Sequence, residues 1–429
     1  MPRFSFVIPA TRPHLLKYSV GSALRQSISD FEIVLSDNSI DGFRETVDFE
    51  RDSRVRYVRP ERRLPHYRSW EFAFSHARGE WIVLLGDDDV VLPTTLATLV
   101  RAQDGNPGVE ILSWTHGSYF SDNFPSAQRG TASLPPSTGG ARLSSNADSL
   151  ATLFRVGGEP ENFSAAKRLY PSPLVSAYRS ALVERVRAIA GSFFMPSTPD
   201  WAAGVAAMAV TGQTLFIDAP LTILNATADS NAAGGAGNLT QVREAYRELD
   251  YVPFTHVPFK GIIANRNIVV DTMLEVRARM PRELGRFEVD WAAYFKSIHF
   301  GLAQVRRQSG GFPELAKEEK DLMDCVASQP ADVQASVRKY VSTAEHGEAG
   351  THPPRTQTPP AHRIKVALSR LRVAMLVRLL PLTRPLLRRR LVREGISIHA
   401  RLAGIRDILH FCRLAGSLLE APRTAKTDA

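Results

Sequence analysis

Cysteine is nearly absent: Cys325 and Cys412 are the only two in 429 residues, far apart and without metal-ligand spacing. That excludes a disulfide framework and fits a reducing compartment. No basic-then-apolar leader precedes the first apolar run, Phe4-Ser-Phe-Val-Ile8, so a cytoplasmic location is expected. No stretch offers the ~20 mostly apolar residues that span a bilayer. No internal repeat is apparent. Aromatics are sparse where the chain is most basic: beyond residue 363 only Phe411 is available to stack on a base, which with the lack of a recognised motif argues against nucleic acid. A 44% hydrophobic content is that of a folded protein, and the length leaves room for two or more domains.

The amino-terminal half is ordered by strands and helices in alternation. Phe4–Ile8, Phe31–Leu35 and Arg54–Val58 read as strands, the first two ending in Pro9-Ala-Thr11 and Ser36-Asp-Asn-Ser39. Leu16, Val20, Ala23, Leu24 and Ile28 fall at helical spacing, and a second helix runs through Trp70, Phe72, Ala73 and Ala77. This alternation predicts an α/β fold with a largely parallel sheet covered on both faces.

The most telling segment is Trp81-Ile-Val-Leu-Leu-Gly-Asp87-Asp88-Asp89-Val-Val-Leu-Pro93. A buried strand is followed by three carboxylates at its carboxyl end, the edge where open α/β sheets bind ligands. Like charges so close repel unless a cation or phosphate chemistry calls for them. Carboxylate oxygens suit hard ions such as Mg²⁺ or Mn²⁺, which bridge nucleotide phosphates. The plain alternative is a solvated acidic turn. Asp37 has the same ambiguity, because Asp and Asn also serve turns by bonding to their own backbone.

The series Val7-Ile-Pro, Glu32-Ile-Val-Leu-Ser-Asp-Asn-Ser, Ala77-Arg-Gly-Glu-Trp, Leu85-Gly-Asp-Asp-Asp and Leu92-Pro resembles the family-2 glycosyltransferases of GT-A fold, over about the first 225 residues. The resemblance implies a Rossmann-like, mostly parallel central sheet flanked by helices, here followed by a helical carboxyl-terminal extension. It also implies transfer of a sugar from a nucleotide-diphosphate donor, with a UDP-sugar favoured. Asp37 then matches the residue that accepts from the N3–H of a uracil-like base, and Pro9 and Thr11 line the nucleoside. Asp87 and Asp88 match the pair that holds ribose and metal–diphosphate, with Asp89 an adjacent ligand for Mn²⁺ or Mg²⁺. The commonest family form has Asp where this chain has Gly86, so the ligand set within 87–89 stays open by one residue.

Asp200, in Pro196-Ser-Thr-Pro-Asp200-Trp-Ala-Ala-Gly, stands where inverting members carry the catalytic base. A sugar hydroxyl is a poor nucleophile, and a placed carboxylate must take its proton. Asp200 equally suits the N-cap of the apolar helix that follows. Tyr170, Ser172 and Trp201 are the candidates to touch an acceptor, with core and loop roles as the alternative. Residues 117–145, rich in Ser, Gly and Pro, read as a loop over the site. The family's processive Gln-x-x-Arg-Trp motif is missing, so one sugar per encounter is expected.

The division expected is a transferase domain over 1–228, a helical extension over 229–346, a Pro-rich linker over 347–362 and a basic amphipathic helical tail over 363–429. The tail holds 15 Lys and Arg against 4 Asp and Glu, a net +11; the rest holds 38 against 40, a net −2. Basic and apolar together fit an anionic membrane face, placing the protein on the inner side of the plasma membrane; packing helices are the alternative. The expected acceptor is a glycan or lipid-linked glycan in bacterial surface polysaccharide synthesis. Polyprenyl-phosphate glycosyl transfer and a non-catalytic nucleotide-binding scaffold are the other readings.

Overall fold

Phe4–Ala10 (β1), Phe31–Asp37 (β2), Val55–Val58 (β3) and Trp81–Leu84 (β4) form a parallel block in the order β3-β2-β1-β4. The computed structural model describes residues 1–44, 49–124, 128–156, 170–196, 198–228, 254–309, 311–346, 377, 380–400 and 405–419. The strands of the block are near-continuous apolar runs because both of their faces are covered. Alternate side chains of β1 point to opposite cores. Phe4, Phe6 and Ile8 join Leu16 and Val20 of helix α1 (Leu16–Ala23), while Val7 joins Ala73 and Phe74 of α2 (His66–Ser75).

After β4 come Val90–Val91 (β5), Thr95–Asp104 (α3) and Ile111–Phe120 (β6). Residues 117–145, expected as a loop, instead hold the end of β6 and two further strands, Thr131–Leu134 (β7) and Ala141–Ser145 (β8). Thr-Ala-Ser-Leu alternates small polar and buried apolar positions, a strand period that composition alone hides. The chain continues through Asn146–Phe154 (α4), Ser176–Arg179 (β9), Ser180–Ala190 (α5) and Pro199–Ala209 (α6) to the 14-residue strand Gln213–Ala226 (β10). Strand β9 lies antiparallel between β4 and β6, and β10 pairs with β5, β6 and β8.

Four longer helices follow: Asn265–Arg279 (α7), Trp291–Ser309 (α8), Pro313–Ala327 (α9) and Ala331–His346 (α10). They share one core with α4, α5 and α6. The Thr198 and Thr272 hydroxyls hydrogen bond at 2.7 Å, tying α7 to the start of α6.

The described part of the tail is docked on the sheet. Leu380–Glu394 (α11) leads through Gly395 into Ile396–His399 (β11), which pairs antiparallel with β7. The strand is an addition to the helical tail expected from composition. Its entry requires glycine: φ is +72°, and a Cβ there would lie 2.5 Å from the Leu134 carbonyl oxygen. Ile408–Leu419 (α12) then buries Phe411, Cys412, Ala415 and Leu418 against Val90, Leu92 and Ile223. The apolar face of α12 is thus covered by the sheet, and the outward side chains of α11 include Leu386, Arg389, Val392 and Arg393. The linker over 347–362 lies outside the described residues. Among the described residues, no helix is long and apolar enough to cross a membrane.

Candidate active site

Strand β1 is the hinge of the topology. From it the chain steps outward through β2 and β3, then returns to the other side of β1 as β4. The reversal leaves a crevice at the carboxyl ends of β1 and β4, where open α/β sheets bind ligands. Register brings the candidates there: Pro9 pairs with Ser36, Ala10 with Asp37 and Val7 with Leu84, while the Leu85 N–H donates to the Val7 carbonyl at 2.9 Å.

Asp87 is the tie across that crevice. Its carboxylate accepts from the backbone N–H groups of Thr11 and Arg12, at 3.0 and 3.1 Å, and from the Arg12 guanidinium. The same guanidinium reaches Asp88 at 3.0 Å. Burial alone would lower the Arg12 pKa, but the pairing with Asp87 and Asp88 outweighs it and holds the group further above its ordinary value. Asp89 turns elsewhere, accepting from the backbone N–H of Asn225 on β10 at 2.8 Å. Burial, aided by the neighbouring Asp88 and Asp87 charges, pushes its carboxyl well up. Gly86 explains this turn: a Cβ there would stand 2.5 Å from an Asp89 oxygen. The departure from the commoner family Asp therefore accompanies a folded-back Asp89.

Asp37 is fully buried. One oxygen accepts from the Ser39 N–H (2.8 Å) and hydroxyl (2.6 Å), the other from the Phe43 N–H (2.8 Å) and the Tyr57 hydroxyl. A carboxylate has about four lone-pair sites, so the chain's own donors occupy them. Burial pushes this carboxyl up, but the hydrogen bonds outweigh it and hold the pKa below the usual value. Tyr57 in turn is pushed up to about 12, by burial and by Asp37.

Asp200 sits at the second residue of α6, after Pro199, and Thr198 rather than Asp200 takes the N-cap position. The Tyr170 hydroxyl donates to it at 3.2 Å. Tyr170 stacks flat on Trp201, centroids 4.0 Å apart and planes within 3°. Gly204 lets the helix close on this pair, since a Cβ there would stand 2.7 Å from both the Tyr170 ring and the Pro171 carbonyl oxygen. Tyr170 and Trp201 are therefore buried wall, while Ser172 is half-buried. β9 runs antiparallel to β4 with Ala177 opposite Val83, so the turn Pro173–Val175 enters at the carboxyl end of β4. That places Tyr170, and through it Asp200, on the edge that carries Asp87.

Residues 5–157 match the sequence profile of Glycosyl transferase family 2. Over this segment, about a third of the chain, the sequence is similar to that family. An uncharacterized glycosyltransferase of Methanocaldococcus jannaschii is 32% identical over 112 residues, 25% of this chain and 38% of the relative; the match thus spans well under half of that protein. Among solved structures, S. aureus TarS in complex with UDP-GlcNAc aligns over 80% of this chain and 92% of its own, at 15% identity and a TM-score of 0.47. A mannosyltransferase from Pyrobaculum calidifontis, PcManGT, solved with GDP-Man and Mn²⁺, aligns over 80% and 86%, at 14% identity and a TM-score of 0.36.

Three contributors escape sequence reasoning. Arg12 directly follows Thr11 in the loop after β1 and was findable by its place. Tyr57 sits opposite Leu35 in the β2–β3 register, which a strand alignment would have offered. Asn225 acts through its backbone from 136 residues away, and no local signal marks it. The Asp37 network carries a pH prediction. A carboxyl held below its ordinary pKa adds stability at neutral pH that is lost as pH falls through its folded-state value. Tyr57→Phe removes one donor, so stability at neutral pH should drop by about 1 kcal/mol and the acid-unfolding midpoint should move to higher pH. Circular dichroism across an acid titration checks this; an unmoved midpoint would show that Tyr57 does not support Asp37.

Proposed function

We propose that the chain is an inverting, non-processive glycosyltransferase, moving a sugar from a nucleotide-diphosphate donor to the hydroxyl of a glycan or lipid-linked glycan. A UDP-sugar is the favoured donor, and bacterial surface polysaccharide synthesis the setting. The observation that carries the reading is the buried Asp87–Asp88 pair at the β1–β4 reversal, bound to the loop that follows β1.

In this reading Pro9 and Thr11 flank the nucleoside, and Asp37 fixes the base loop. A base N3–H reaching Asp37 would replace the Ser39 or Tyr57 hydroxyl as donor. Asp87 and Asp88 hold the ribose and diphosphate end. Their oxygens fit Mn²⁺ or Mg²⁺, ions commonly held by one or two carboxylates together with substrate phosphates. Among the described residues no group of three or more His, Cys, Asp or Glu converges as a metal site. An ion held here would take oxygens of the donor diphosphate beside these carboxylates. When bound, it offsets charge on the departing diphosphate.

Asp200 accepts the proton of the attacking hydroxyl as that oxygen approaches C1 opposite the diphosphate, which inverts the centre. The Tyr170 hydroxyl donates to Asp200, which stands in the first turn of α6, where the helix dipole favours a negative charge. Asp200→Asn should lower kcat by ~10²–10⁴-fold while leaving nucleotide affinity within about twofold of wild type. Near-normal turnover would refute the base assignment and favour a phosphate acceptor, which needs no base.

A lipid-linked acceptor would be met at an anionic membrane face, for which α11 offers outward Arg389 and Arg393 beside Leu386 and Val392. The protein should co-sediment with vesicles containing phosphatidylglycerol and not with neutral ones, and Arg389→Glu with Arg393→Glu should release it. Equal binding to both vesicle types would remove the anionic charge from the account, and binding to neither would remove the membrane.

A further inference from the structure

We propose that Arg12 is an exchangeable counter-ion that makes cation binding at Asp88 depend on the nucleotide. The inference rests on the donor-site reading above, and assigns a role to a residue that reading does not use.

The geometry is unequal. Asp87 is anchored four ways: by the backbone N–H groups of Thr11 and Arg12 and by two positions of the Arg12 guanidinium. The backbone donors would remain if the guanidinium left. Asp88 meets that guanidinium through Oδ1 at 3.0 Å. The Arg12 side chain retains 22% of its exposure, against 6% for Asp87 and 10% for Asp88, so it is the member of the trio with room to move. One guanidinium thus meets two buried carboxylates.

A divalent ion approaching Asp88 Oδ1 has to displace Arg12 from that oxygen. Two cations sharing one carboxylate oxygen repel, and the guanidinium cannot relieve this by losing its proton. It needs another anion. A donor diphosphate supplies one, and a planar fork of N–H donors suits phosphate oxygens. Arg12 would then swing from Asp88 to the diphosphate while Asp87 stays tied to the β1 loop. Nucleotide and ion each help the other bind, and by linkage the factor is the same in both directions.

The test is Mn²⁺ binding followed by the electron paramagnetic resonance of the free ion, with and without UDP, GDP or dTDP, on wild type, Arg12→Gln and Arg12→Lys. In wild type, the best nucleotide should tighten Mn²⁺ binding by roughly tenfold or more, the range usual for coupled sites. Arg12→Gln should bind Mn²⁺ several-fold more tightly on its own, bind nucleotide several-fold more weakly, and lose most of the coupling. Arg12→Lys keeps charge without the fork and should fall between; it carries the comparison if the glutamine variant fails to fold. If both variants bind Mn²⁺ alone no better than wild type and keep the full coupling, the counter-ion role is wrong. Wild type that binds a nucleotide with no effect of Mn²⁺ overturns this inference and leaves the donor reading standing. Wild type that binds no nucleotide at all overturns both.

Discussion

The site depends on one carboxylate. Asp87 lies just beyond β4, yet its hydrogen bonds go to the backbone of Thr11 and Arg12, just beyond β1. Those two parallel strands are neighbours because the chain, after stepping out through β2 and β3, returns to the other side of β1. Without a bond across the reversal, two buried acidic residues would repel each other at a loop end untied to β1. With it, the acidic turn becomes a fixed feature on which Asp88 can meet Arg12 and from which Asp89 turns to β10.

The rest of the molecule supports that turn from outside. α12 packs on Val90 and Leu92, the residues directly after the acidic cluster, and the Cys412 thiol donates to the Val91 carbonyl. Burial pushes the same thiol up to about 12, consistent with a small apolar side chain and a weak donor rather than a reactive group. On the other flank, helices α7 to α10 continue the core of α4, α5 and α6, and the Thr198–Thr272 hydrogen bond fixes the start of the helix that carries Asp200. Extension and tail thus each pack against an element that carries or adjoins a candidate site residue.

What the sequence showed, and what it hid, follows from distance along the chain. The parallel block was legible because strands covered on both faces are written as unbroken apolar runs, and Asp37 and Asp87–Asp89 were legible as carboxylates at the ends of two of them. The tail's charge was countable, but not the partner of its apolar face, since α12 meets residues more than 300 positions earlier: Cys412 and Val91 are 321 apart. Residues 117–145 were misread because Ser, Thr and Gly suit a short strand next to a larger one as readily as a loop. The hydrogen-bond partners of Asp37 and Asp89 had no signal in the sequence, because they come from backbone groups and side chains set by the fold.

The most direct test of the account is calorimetric titration of UDP, GDP and dTDP, with and without Mn²⁺, into wild type and Asp88→Ala. The account predicts that one nucleotide binds, that Mn²⁺ strengthens it, and that the substitution abolishes the metal's effect while the fold stays intact. Absence of binding by any of the three to well-folded wild-type protein would contradict it, and would leave a family-2 fold serving as a scaffold.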